Sequence, residues 1–82
     1  MPYYVYIIYS DKVHKKYIGH TENIEQRLKQ HNEGSLGKYT KNKGPWKLVH
    51  MEEYSTRSEA MAKENFFKTG RGRDLLKQQF NI

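Results

Sequence analysis

The sequence contains no cysteine, which removes disulfide staples, thiolate zinc sites and a cysteine nucleophile together and fits a reducing cytoplasm, the expected location. The fold must hold by packing alone. Length is also in short supply: 82 residues predict one domain over 1–82, burying only about 60% of the surface its unfolded chain exposes, so no separate specificity domain is expected. Long apolar runs are missing too. The opening MPYYVYIIYS is too short to span a bilayer and lacks a basic lead-in and a small-residue cleavage site, so it reads as a strand and no membrane partner is expected. There is no internal repeat, no low-complexity segment and no basic tail. The excess of Lys and Arg over Asp and Glu is spread evenly, seven against four in residues 1–41 and eight against five in residues 42–82.

What is present is positive charge and tyrosine. A net charge of +6 on so small a body favours a polyanionic partner, although basic balance also serves solubility. Residues 3–9, YYVYIIY, are aromatic and β-branched throughout, which suits a strand buried on both faces in the middle of a sheet. A polar turn at Ser10 to Lys15 leads to a second short strand, Lys16 to His20, and the connection is short enough for a hairpin. Helix one starts at Thr21 or Asn23, with Asn23 and Gln26 at capping-box spacing, Ile24 and Leu28 as its buried pair, and Gly34 past its last turn. Residues 34–45, GSLGKYTKNKGP, read as a loop, and Trp46 to Tyr54 as a third strand beside the first. Helix two opens at Thr56 and Glu59, again at capping-box spacing, with an inward stripe of Ala60, Met61, Glu64 and Phe67. TGRGR, residues 69–73, is expected to break the helix, and Leu75, Leu76 and Phe80 to form a short final one.

Several residues invite a chemical reading beside a structural one. Seven tyrosines are many, yet Tyr is a favoured strand residue, so a structural role is the default for each. Tyr6 and Tyr17 stand out because they fall on adjacent strands, with Gly19 nearby to let a ligand approach the backbone. Arg27 and His31 are four apart, so they project from one helix face. The guanidinium suits a phosphate, and the imidazole suits a proton near neutral pH, but R-x-x-x-H is also an ordinary solvated face. Glu64 interrupts an apolar stripe, and burying it unpaired would cost several kcal/mol. Its compensation is either an internal ion pair, with Lys16 or Arg27, or a divalent metal. Lys38, Lys41, Lys43 and Lys47, interleaved with Tyr39 and Trp46, and then Lys68, Arg71, Arg73 and Lys77, form two groups suited to phosphates, or to solvated loops. His14, His20 and His50 are isolated, with no zinc-ligand spacing.

Taken in order, Tyr4-Val5-Tyr6, ten intervening residues, Tyr17-Ile18-Gly19, then Arg27, His31 and a helical Glu64 resemble the GIY-YIG nuclease superfamily. The resemblance covers essentially the whole chain. Tyr39-Thr40, Gly44-Pro45-Trp46, Leu48-Val49, Glu59-Ala60 and Lys68 are similar to its small stand-alone bacterial branch. Tyr4 stands where the family's name has its first Gly, a structural position. Some members use a late Asn or an additional Tyr or His; Tyr39 is a candidate for the latter, and neither Asn65 nor Asn81 is assigned.

The resemblance implies hydrolysis of a DNA phosphodiester with one divalent metal, Mg²⁺ or Mn²⁺, held by Glu64. It implies that Tyr6 is the general base or orients the attacking water, that Tyr17 bonds the scissile phosphate or shares that role, and that Arg27 and His31 complete the catalytic set. A free phenol, with pKa near 10, is a poor base until a cation lowers it, and Arg27 and the metal are expected to supply that charge. Gly19, Tyr39, Lys41, Lys43, Lys68 and Arg71 are the expected substrate contacts. The expected architecture is α/β (α+β), a three-stranded antiparallel sheet of order 2-1-3 flanked by three helices (β-β-α-β-α-α). The expected function is metal-dependent endonuclease action on DNA, structure-selective or in DNA repair, with RNA and a specificity-supplying protein partner left open along with the oligomeric state. Two rivals stand beside it: a non-catalytic nucleic-acid-binding module, and a small protein-interaction domain with Tyr39 and Trp46 as its patch.

Overall fold

The computed structural model describes residues 2–34 and 43–82. Strand β1 (Tyr3–Ser10) runs into β2 (Lys15–Thr21), helix α1 (Ile24–Glu33), strand β3 (Lys47–Tyr54), helix α2 (Arg57–Phe67) and helix α3 (Gly70–Phe80). The sheet is antiparallel in the order β2-β1-β3, so the fold is the α+β arrangement the sequence predicts. The most apolar strand takes the centre because both of its faces are covered. Val5, Ile7 and Ile18 pack on one side with Ala60, Phe67 and Leu76 of α2 and α3. Tyr6 and Ile8 pack on the other with Trp46, and Tyr17, Ile24 and Leu28 close over them. Each fully buried aliphatic side chain contributes about 1.5–3 kcal/mol, which for a cysteine-free chain is the main cohesive force.

Caps fix the helix starts where the sequence places them. The Asn23 side chain accepts the amide of Gln26, and Gly34 ends α1 at a φ of 77°, a left-handed turn that glycine takes without steric cost. Thr56 and Glu59 form the complete reciprocal capping box. Pairing across β1 and β2 sets the faces: Tyr6 lies opposite Gly19 and Ile8 opposite Tyr17, so the two phenols share the α1 side.

Four expectations need correction. Helix α3 begins at Gly70, with Thr69 as N-cap, so GRGR lies inside its first turn instead of breaking the chain for longer. Gly72 is why: a Cβ there would come within 2.1 Å of the Phe66 carbonyl oxygen, and only glycine lets the two helix ends meet so closely. Met61 is 44% exposed; beside Ala60 it sits off the inward arc. Trp46 precedes β3 and is 2% exposed, its amide donating to Asn32 Oδ1 at 2.6 Å, so it belongs to the core and offers no partner patch. His50 is not isolated; it packs on Phe67 and Phe80 and meets Glu52 at 2.7 Å. Tyr39, Lys38 and Lys41 lie outside the described residues.

Candidate active site

The site forms across the free edge of β2. Alternation along that strand sends Tyr17 and Gly19 toward α1, and Ile18 and His20 toward α2. One strand therefore carries side chains into both layers, and a cleft of about 600 Å³ wraps around its edge. Tyr6, Tyr17, Gly19, Arg27 and Glu64 all line it. The acid comes from the α2 layer and the phenols and guanidinium from the other.

Gly19 has a different use from the one its small size suggests. A Cβ there would stand 2.7 Å from the Tyr6 hydroxyl oxygen, so the space is filled by the phenol itself. The glycine lets Tyr6 lie flat over the β2 backbone, and its hydroxyl then reaches His31 Nε2 at 2.8 Å. Tyr17 stacks next to both, its ring centroid 4.7 Å from that of His31 and 6.3 Å from that of Tyr6. His31 is only 2% exposed and touches the cleft through Tyr6.

Electrostatics assign these groups their resting states. Burial pushes the Tyr6 phenol well above its ordinary value, and the neighbouring Tyr17 and Glu64 add to this while Arg27 opposes it. The expectation that Arg27 lowers this phenol holds for its direction only, because desolvation wins. Burial, and then Arg27, lower the pKa of His31 to about 4, leaving the imidazole neutral near pH 7.

Glu64 is held by partners the sequence did not name. Its Oε1 accepts from His20 Nδ1 at 2.6 Å and its Oε2 from Lys68 Nζ at 2.7 Å, in place of Lys16 or Arg27. Burial alone would raise its pKa, but the hydrogen bonds from Lys68 and His20 outweigh that and hold the carboxyl below its usual range. His20 is thus no isolated histidine; its place two residues after Ile18 on one strand face was the available signal. Arg57 was also missed. It lines the cleft and lies over the Tyr3 ring at 5.4 Å from the centroid.

The remaining expected contacts scatter. Lys68 reaches the cleft through its bond to Glu64. Arg71 is on another groove with Phe66 and Asp74, so it does not join this site. The Lys43 carbonyl accepts from the Ser10 hydroxyl, four residues beyond Tyr6 along β1.

Two strand phenols, a helical arginine and a distant glutamate thus stand around one cleft of this fold. Residues 2–78 match the GIY-YIG catalytic domain, and the chain belongs to that family. It is 43% identical to UPF0213 protein SH2523 of Staphylococcus haemolyticus over 75 residues, 92% of this chain and 90% of that one. It is 41% identical to UPF0213 protein HQ_3675A of Haloquadratum walsbyi over 68 residues, 82% and 74% of the two chains. Among solved structures, the NMR structure of UPF0213 protein BH0048 from Bacillus halodurans superposes with a TM-score of 0.57 at 32% identity, covering 98% of this chain and 86% of that one. Membership in a nuclease superfamily implies a nucleic-acid substrate and divalent-metal dependence in general. No helix among the described residues is long and apolar enough to cross a membrane.

Proposed function

We propose that this chain is a divalent-metal-dependent endonuclease that hydrolyses DNA phosphodiester bonds, with Tyr6, Tyr17, Arg27 and Glu64 as the groups that meet substrate and metal. The observation that carries the reading is that all four line one open cleft, although they come from four separate elements. The donor set fits a hard cation. Among the described residues no three His, Cys, Asp or Glu side chains gather to hold a metal by themselves, and one carboxylate completed by water and phosphate oxygens is what Mg²⁺ accepts. Glu64 would hold it; Lys68, half exposed at 51%, is the partner most easily displaced. Bound there, the ion supplies positive charge that lowers the phenol's pKa and stabilises the leaving 3′ oxygen.

The protein's own groups have separable tasks. Tyr6 starts protonated, held so first by burial, so it orients the attacking water, and it becomes a base only where a cation beside it offsets that burial as well as the charge of Glu64. His31 sets which occurs: with the proton on Nε2 the imidazole donates to the phenol oxygen and stabilises a phenolate, and with the proton on Nδ1 it accepts. Arg27 pairs with the non-bridging oxygens, where a preorganised donor is worth about 100- to 1,000-fold in rate. Tyr17, half-buried on the cleft wall, donates to the same phosphate.

The test is nicking of supercoiled plasmid and branched oligonucleotides with Mg²⁺, Mn²⁺ or chelator, beside Tyr6→Phe, Arg27→Ala and Glu64→Ala. Metal-dependent nicking lost in all three variants, with DNA binding retained by Glu64→Ala, is expected. Nicking that survives unchanged in Tyr6→Phe and Glu64→Ala would come from a contaminant and would overturn the mechanism.

A further inference from the structure

A second cleft lies beyond Tyr17, between the β1–β2 turn and the junction of α2 with α3. Its volume is about 560 Å³, within the range of roughly 300–1,000 Å³ typical of sites that enclose small ligands. Tyr9 and Tyr17 form its aromatic walls, and Lys15, Lys68 and Arg73 stand around it. No carboxylate side chain lines it, in contrast to the candidate catalytic cleft, which carries Glu22 and Glu64. Lys16 closes one end, its ammonium donating at 3.0 Å to a main-chain oxygen of Ile82, the last residue of the sequence, which also lines the cleft.

The two clefts share a wall. Tyr17 lines both, and Lys68 lines this one while its ammonium holds the Glu64 carboxylate that lines the other. Following β2 is one path open to a strand whose phosphate rests beside Tyr17 and Arg27. Toward the β1–β2 turn it meets cations set around aromatic faces. That combination suits a nucleotide, because phosphates pair with Lys and Arg while any base offers a π-face to Tyr.

We propose that this second cleft is a nucleic-acid subsite, which takes the nucleotide adjoining the scissile phosphodiester with its phosphate on Lys15 and Arg73 and its base or sugar against Tyr9. The proposal rests on the nuclease reading for the identity of the strand, but the cleft's affinity is measurable without cleavage. Lys15 and Arg73 are exposed and Tyr9 is half-buried, so truncating them spares both cores.

The experiment measures binding of a short fluorescein-labelled single-stranded DNA in chelator, by anisotropy over a salt series. It compares the parent with Lys15→Ala/Arg73→Ala, with Tyr9→Ala and Tyr9→Phe, and with the charge-matched control Lys29→Ala/Lys63→Ala, whose residues lie outside both clefts. The double variant is expected to bind about tenfold or more weakly, with a salt slope shallower by about two counterions. Tyr9→Ala should weaken binding about five- to tenfold through lost stacking, with Tyr9→Phe rescuing it. Equal losses in the control, or an unchanged affinity in the double variant, would overturn the subsite. The nuclease reading fails separately, through metal-dependent nicking unaffected by Tyr6→Phe and Glu64→Ala.

Discussion

Acidification should destabilise this domain through His31, and the effect has a calculable size. The imidazole is 2% exposed, and its pKa falls from the ordinary 6.5 to about 4 in the folded state. The unfolded chain therefore binds a proton through this window that the folded chain refuses. Stability from this source is intact above the unfolded value and is lost as pH falls toward the folded one. Integrating between about pH 7 and pH 5 gives a loss of about 2 kcal/mol, approaching about 3 kcal/mol below pH 4. In a domain of this size that is a melting temperature lower by about 8–16 °C at pH 5 than at pH 7. Glu64 and Glu52, whose carboxyls lie below their usual range, lose their contributions only at still lower pH. The clean comparison is with His31→Gln, which keeps a polar partner for Tyr6 but cannot titrate. Its melting temperature should be lower at pH 7 and change much less on acidification, so that the two proteins converge near pH 5. Parallel curves for the two proteins, or an imidazole NMR titration of His31 at an ordinary midpoint, would refute the claim that burial and Arg27 hold it neutral.

Other substitutions probe the remaining contacts. Gly19→Ala, whose new methyl would press on the Tyr6 hydroxyl, should cost about 1–3 kcal/mol in chemical denaturation and lower nicking with little change in DNA affinity. Lys68→Met removes an exposed partner of Glu64, so denaturation should change by less than about 1 kcal/mol while the concentration of Mg²⁺ giving half-maximal nicking falls. Leu76→Ala empties the centre of the α2–α3 side of the core and should cost about 2–5 kcal/mol, read from urea midpoints.

Much of the architecture was legible because burial and capping leave local traces. The apolar run at residues 3–9 announced the central strand, and Asn23, Gly34, Thr56 and Glu59 marked the helix ends where they occur. Tyr6 and Tyr17 were readable as a pair because hairpin pairing fixes relative faces. The errors share a cause, which is that the deciding contacts are tertiary. The periodicity that makes Ala60 face inward leaves Met61 ambiguous until the sheet's position is known. The helix break expected over TGRGR shortened to Lys68 and Thr69 because Gly72 permits a close approach to Phe66 that only the folded pair of helices requires. Glu64 was recognised as needing compensation, but its partner His20 lies forty-four residues away on a strand whose inward face depends on pairing with β1. A phenol's elevated pKa, likewise, depends on how much protein surrounds it, which no spacing reports.

The free edge of β2 has one more implication. The glutamate approaches from one layer and the phenols and arginine from the other, so the edge of one pleated strand stands between them. On the nuclease reading proposed above, a phosphodiester must reach around that strand's edge to meet both sets of groups, so the pliability of the nucleic acid would bear on where it is cut.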